Sequence, residues 1–363
     1  MSSSTTKSRS ERWQRRRDEN FRSGALDINV EGVESHTSAS LRLFLKSSRA
    51  KKRYPSGDVD RISQLPDDIL VTIVSFLSLK EAARTSVLSS RWINLWKHVP
   101  RLDFDAETAL CKTSHKYELL YSEESCKYVE WVNRVIRSHK AATLKEFRVC
   151  FDLSQTVENA ITQWLEFALV RHIERLDLDF SARAFNIDFS ARALNIGTVG
   201  STYYAFPEKF VKRPSQSSST NFKSLKSLSL KCVNLTREAI EFFLHNCPLL
   251  ENLVVHFTNN ISSLVVCGSS LALKHLELYS CYKLKSVKVS APNLTSLTLP
   301  IARGLLLENV PMLVELSVGC SFTPDYVKEL LDALSCRIFQ LEILTLMITF
   351  KLRLDIVSFL FYI

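Results

Sequence analysis

The strongest signal along the chain is a repeated spacing of apolar positions, L-x-x-L-x-L, whose last two apolar residues stand two apart. That is the period of a strand with one buried face. Copies begin at Leu144, Ile173, Leu225, Leu250, Ile261, Leu273, Leu284, Leu294, Leu313 and Leu341, ten in all. From Leu250 the steps to Leu273, Leu294 and Leu313 are 23, 21 and 19 residues, the length of one coil of a leucine-rich repeat. Ile261 and Leu284 each fall 11 residues after the preceding copy. That is too short for a separate coil, so they are predicted as strands on the opposite wall of the same coils, giving a nearly all-β middle section.

Helices are predicted at the flanks, where the spacing widens. Thr236 caps an amphipathic stretch stopped by Pro248, and Thr323-Pro324-Asp325 opens another running to about Leu334. Proline suits a first helical position and an early acid complements the positive end of the dipole. Further helices are expected near 123–139 and 156–171.

Upstream, from Asp60 to Asp105, the apolar period is helical. Pro66 opens a first helix whose Ile69, Ile73, Phe76 and Leu77 mark one face and whose Leu70, Val74 and Leu77 mark an adjoining one. Two apolar faces need two neighbours. Ser78 and Glu81 form a capping box for a second helix, and Trp92, Leu95 and Trp96 line a third. Domains below about 40 residues rarely hold a sufficient core alone, and the helical part from Pro66 to Trp96 is that small. No Cys lies inside it, so a partner protein is expected to complete it.

These residues carry a resemblance. The blocks Asp60-Arg61-Ile62-Ser63, Leu65-Pro66-Asp67-Asp68-Ile69-Leu70, Ser75-Phe76-Leu77, Lys80-Glu81-Ala82, Thr85-Ser86-Val87-Leu88-Ser89 and Arg91-Trp92-Ile93-Asn94-Leu95-Trp96 closely resemble the F-box of plant F-box/leucine-rich-repeat proteins of the FBD type. Ser78 stands where relatives often carry proline and Ser90 where they often carry Lys or Arg. The strand openings Cys247-Pro248-Leu249-Leu250 and Ala291-Pro292-Asn293-Leu294 also resemble that family's repeats. The expected fold is therefore α+β: a small helical F-box followed by a leucine-rich-repeat α/β solenoid. The expected domains are a basic, disordered leader at 1–57, the F-box at 58–105 and the solenoid at 106–363.

Composition adds limits. The chain has 363 residues, 46% of them hydrophobic, and a net charge of +9. The leader holds thirteen Lys and Arg against six Asp and Glu, so most of the surplus sits there. Its clusters Arg15-Arg16-Arg17 and Lys51-Lys52-Arg53 suit nuclear import or nucleic-acid contact, but are read first as a solvated arm. Nine Cys without a C-x-x-C pair argue for a reduced compartment, nucleus or cytoplasm. No secretory signal or membrane span is expected.

Two features stand apart from the repeats. Residues 179–187, DFSARAFNI, recur at once as DFSARALNI, expected as a looped insertion over about 179–221. The end, Ile356 to Ile363, is apolar without a polar cap, and reads as a repeat domain cut short, since solenoids are normally capped.

Candidate chemistry is sparse. Cys281, at the N/C position of its repeat, is expected as a buried hydrogen-bonding residue. His98 and His256 look like residues at element ends, and Asp67 and Asp68 like first-turn acids. No catalytic residue, cofactor or metal ligand is expected. The resemblance implies a non-enzymatic adaptor: the F-box docks onto a Skp-type adaptor and through it a cullin, while the repeats capture an unknown protein substrate. The apolar docking set is Leu65, Pro66, Ile69, Leu70, Ile73, Trp92 and Trp96, with Trp96 also a candidate for the internal core. Two other readings stay open, a scaffold without degradation and nucleic-acid binding through the leader.

Overall fold

A computed structural model describes residues 62–105, 117–151, 153, 157–181, 203–211, 222–258, 260–281, 283–300, 304–320, 330, 332, 334, 338–351 and 356–362. The chain divides into two compact units, the first built from residues up to Val99 with two short later pieces, the second from most of the remainder. The basic leader lies outside the described residues.

In the first unit, helix α1 spans Asp67–Val74 and α2 spans Leu79–Arg84. The expected capping box is present: the Ser78 hydroxyl accepts from the Glu81 amide at 3.3 Å, and the Ser78 amide donates to Glu81 Oε2 at 3.2 Å. Trp92–His98 is a 3₁₀ stretch that packs against α1. Two buried hydroxyls are satisfied locally, Thr85 donating to the Ala82 carbonyl and Ser86 to that of Ile93.

The second unit is a solenoid. Its main sheet has ten strands: β1 (Arg101–Asp105), β2 (Glu146–Cys150), β3 (Arg175–Asp179), β5 (Ser227–Lys231), β7 (Asn252–His256), β9 (His275–Tyr279), β11 (Ser296–Leu299), β13 (Glu315–Cys320), β14 (Ile343–Lys351) and β15 (Ile356–Tyr362). From β1 to β14 neighbours pair parallel in register, Leu228 beside Leu253 and Leu253 beside Leu276. Identical inward leucines therefore stack coil after coil, which is how a repeat that cannot bury its own face makes a continuous core. Each of the ten motifs lies at a strand, two of them in the opposite wall.

The return path of each coil changes along the chain. Between β1 and β2 it is helix α3 (Tyr117–Ser138), between β2 and β3 α4 (Glu158–Val170), and ahead of β7 α5 (Arg237–Asn246), with Thr236 capping through the Ala239 amide. In the middle section it is a strand: β8 (Ser263–Cys267), β10 (Ser286–Ser290) and β12 (Leu305–Leu307) form a second parallel sheet. The motifs at Ile261 and Leu284 supply two of these, as their spacing predicts. The third was not evident in the sequence. Gly304 makes β12 possible: its φ is +64°, and a Cβ there would stand 2.6 Å from the Lys285 carbonyl oxygen.

Corners follow the same logic. Cys232, Phe257 and Ser280, each directly after a main-sheet strand, take left-handed backbone at φ 56°, 56° and 52°. The strain of a non-glycine residue there is of order 1–3 kcal/mol. It is offset in part by keeping the ladder intact, since the Cys232 and Phe257 amides donate to the carbonyls of His256 and Tyr279 on the next strand.

Four expectations need correction or completion. The strand β1, placed by sequence with the helical stretch ending at 105, pairs with β2 in the repeat sheet, because Leu102 and Phe104 alternate with exposed Arg101, Asp103 and Asp105. The insertion expected over about 179–221 is not wholly looped out. Asp179, Phe180 and Ser181 are buried, and β4 (Tyr204–Ala205) pairs with β6 (Val233–Asn234). Tyr204, Phe206 and Phe210 are buried, with Phe206 edge-on to Phe243 at 5.4 Å; their aromatic area outweighs the Ser-rich surroundings that suggested a loop. Residues 182–202, including the second nonapeptide copy, lie outside the described residues. Finally, Ile356–Tyr362 pairs antiparallel with β14, forming the last strand of the sheet. Of the helix expected to end near Leu334, residues 330, 332 and 334 are helical and the rest lies outside the described residues.

A candidate docking face and a candidate recognition face

The α1 helix divides its apolar residues between two sides. Leu70 and Val74 are buried, as are Trp92, Leu95 and Trp96 from the 3₁₀ stretch that packs on it. Four residues around the other side point to solvent: Pro66, Ile69 at 47% exposure, Ile73 at 40% and Phe76 at 80%. Three large apolar side chains on one side of so short an element form a patch that a partner would cover. The first turn carries Asp67 and Asp68, and Asp67 Oδ1 accepts from Arg91 at 2.7 Å; Arg91 also donates to the Leu65 carbonyl. Arg91 thus ties the start of α1 to the residues before the Trp stretch.

The sequence-predicted docking set is therefore split. Pro66, Ile69 and Ile73 are exposed and Leu65 is half-buried. Leu70, Trp92 and Trp96 are interior, Trp96 at 1% exposure. The reason is geometric: Leu70 lies one residue beyond Ile69 and so about 100° round the helix, on the side facing the Trp stretch. Phe76 belongs with the exposed residues and was legible in the i, i+4, i+7 spacing of Ile69, Ile73 and Phe76.

The second unit offers a different surface. Inward residues of the main sheet are buried, and the alternating outward residues form rows across the strands. At the first strands these rows are dense in charge. Arg148 reaches Asp105 at 2.9 Å, Asp177 at 3.2 Å and Asp103 at 3.6 Å. Burial works against the Arg148 charge, yet Asp103 and Asp105 keep its pKa above the ordinary value. Burial also raises Asp103 and Asp177, whereas Asp179 lies below the usual carboxylate range because hydrogen bonds from Ser181 and Lys231 outweigh its burial. Arg101 pairs with Glu146, Lys231 with Asp179.

Further along, the chemistry changes. Glu277 on β9 accepts hydrogen bonds from His256 Nε2 at 2.8 Å on one oxygen and from His275 Nε2 at 3.3 Å on the other. Those two bonds hold its carboxyl well below the ordinary range despite partial burial. His256, expected only as a residue at a strand end, also places its ring 5.4 Å from that of Tyr279. Cys281 is where its repeat position predicts: buried, with its thiol toward the Tyr279 carbonyl at 3.5 Å, and burial pushes its pKa up to about 12. Such a thiol is a poor nucleophile.

Comparison with known proteins bears on both units. An F-box domain model matches residues 62–104, and the model described as At1g61320/AtMIF1, LRR domain matches residues 135–351. The F-box/LRR-repeat protein At3g26922 of Arabidopsis thaliana is 31% identical over 270 residues, 71% of this chain and 82% of that protein. The chain belongs to the plant F-box/leucine-rich-repeat family.

Other members match similarly. The putative F-box/FBD/LRR-repeat protein At4g13965 of Arabidopsis thaliana is 31% identical over 311 residues, 83% of this chain and 68% of its own length. The F-box/LRR-repeat protein At3g03360, from the same plant, is 30% identical over 264 residues, 70% of this chain but only 50% of its own length. Within this F-box/leucine-rich-repeat chain the F-box match contains the whole exposed patch from Pro66 to Phe76, and the repeat match contains Glu277 and both of its histidines.

Proposed function

We propose that this chain is a non-enzymatic substrate-recognition subunit of a cullin-based ubiquitin ligase of the SCF type. In this reading the F-box unit docks a Skp-type adaptor through Leu65, Pro66, Ile69, Ile73 and Phe76, and the repeat unit captures a protein substrate. The observation that carries it is the exposed Ile69, Ile73 and Phe76 patch on a unit whose sequence matches the F-box. Fully burying an aliphatic or aromatic side chain contributes about 1.5–3 kcal/mol, so three such residues can anchor an interface in the manner of a hot spot. The ligase would carry out ubiquitin transfer and this chain would select the target, working in the nucleus or cytoplasm.

Affinity purification of the tagged full chain from plant cells tests the reading, with adaptor and cullin quantified by mass spectrometry. Stoichiometric recovery of both, with other proteins enriched on proteasome inhibition, is the expected result. Recovery of stable partners without adaptor or cullin would point instead to a scaffold without degradation.

A further inference from the structure

Helices α2 and α5 are capped by hydroxyls, those of Ser78 and Thr236. Helix α1 is preceded by Pro66, which offers no capping side chain, and its entry is held by Arg91 instead. Arg91 Nε and Nη2 donate to Asp67 Oδ1 at 2.9 and 2.7 Å, and Nη2 also donates to the Leu65 carbonyl. One planar guanidinium therefore holds the backbone on one side of Pro66 and the carboxylate on the other. The helix itself does not favour a cation there, because the start of a helix is the positive end of its dipole. The bonds to residues 65 and 67 account for its place. Two backbone bonds also act at this entry, the Leu65 amide to the Ile62 carbonyl and the Leu70 amide to the Pro66 carbonyl, both at 3.1 Å. Each is local to its own turn, whereas Arg91 reaches across 24 positions from beside Trp92, which is buried in the stretch packed on α1.

We propose that Arg91 is a positioning residue for adaptor docking, holding Leu65 and Pro66 so that they form one surface with Ile69 and Ile73. The proposal rests on the adaptor-docking reading above. Ile73 is fixed about one turn on from Ile69 by the helix itself. Leu65 and Pro66 stand ahead of the helix, half-buried and exposed respectively, and this part of the docking set is the part that needs support from outside. Magnitude separates such a role from a merely stabilising one. A partly exposed ion pair adds little to folding, and a loss of that size leaves nearly every molecule folded. A larger loss of adaptor affinity then comes from freeing the entry segment, which has to be ordered on binding. Lysine cannot take the same role, since a single ammonium is a point charge without the fixed fork that spans both acceptors.

Titration of a purified Skp-type adaptor into the full chain tests the proposal, alongside Arg91→Met, Arg91→Lys and a control for stability alone, Ser86→Ala, which removes the buried bond to the Ile93 carbonyl elsewhere in the same unit. Both Arg91 variants should lose at least about tenfold in affinity, the size expected for ordering two further side chains on binding. Ser86→Ala should bind like the parent. In a Leu65→Ala background the loss on Arg91→Met should shrink, because one of the two side chains that Arg91 positions is gone. Amide hydrogen exchange on the free chain should quicken from Ile62 to Asp67 in both Arg91 variants while Val71 to Val74 stay as in the parent. Should Arg91→Met fail to fold, Arg91→Lys, which keeps the charge beside Asp67, carries the same comparison. Full affinity in Arg91→Lys, or an equal loss in Ser86→Ala, overturns the positioning role. A parent chain that binds no adaptor removes the ligase reading and this role with it; a parent that binds, with Arg91 variants that bind equally well, overturns the role of Arg91 alone.

Discussion

Arg91 and Asp67, 24 positions apart, form the ion pair that joins the start of α1 to the far end of the F-box unit, Nη2 to Oδ1 at 2.7 Å. The pair is partly open to water, so its worth is modest, about 0.2–1 kcal/mol by the usual range for such pairs. A double-mutant cycle of Asp67→Ala and Arg91→Ala, read by urea denaturation, should give a coupling energy in that range that shrinks at high salt. No coupling, or one insensitive to salt, would show that Arg91 acts through the Leu65 carbonyl instead.

Gly304 is the position where backbone shape rather than side-chain chemistry decides the fold. Its left-handed φ and the close approach to Lys285 both exclude a Cβ, and its carbonyl accepts from the Val287 amide at 3.1 Å. Gly304→Ala should destabilise the repeat unit by about 1–3 kcal/mol. Amide hydrogen exchange should locate the loss at β12 and the facing edge of β10. An unchanged melting curve would mean that the β10 and β12 pairing adjusts freely.

Burial pushes the thiols of Cys247 and Cys281 up to about 12, far above the ordinary value. In the native chain at pH 8 both should resist iodoacetamide while exposed Cys126 reacts, because the thiolate is the nucleophile. Their modification should appear only in denaturant. Rapid native labelling of Cys281 would remove it from the core.

The acid limb of stability has a specific contributor. The Glu277 pKa is lowered in the folded chain by its two histidine bonds from an ordinary 4.5. A lowered carboxylate pKa adds stability that is present above the unfolded value and lost as pH falls through the folded one. Glu277→Gln should therefore reduce stability near neutral pH and flatten the loss seen on acidification below about 4.5. A difference between parent and variant that stays constant from pH 7 to 3 would contradict the linkage.

Much of this architecture was legible because it rests on periodicity. The ten motifs name strands, and the 11-residue offsets of Ile261 and Leu284 separate two walls. β12 escaped because Leu305 to Leu307 is a short run without alternation, held in place by a glycine whose role appears only in three dimensions. Packing of Tyr204, Phe206 and Phe210 escaped because local composition there reads as loop while distant partners such as Phe243 do the burying. In the F-box unit the helical spacing named the apolar residues, but their division into core and surface needed the helix angle between Ile69 and Leu70. The Glu277 cluster was invisible in sequence, since His256 and Glu277 are 21 residues apart and meet through strand register.

Adaptor recruitment by this chain requires the exposed side of α1 as the binding surface. Isothermal titration of a purified Skp-type adaptor into the full chain, the Ile69→Asp, Ile73→Asp variant and the Glu277→Gln variant addresses it directly, with circular dichroism on each. Because Ile69 and Ile73 face solvent, the first variant should keep its fold and lose adaptor binding by at least about a hundredfold, close to 2.8 kcal/mol. The second should bind like the parent. Undiminished adaptor affinity in a folded Ile69→Asp, Ile73→Asp chain would contradict the assignment.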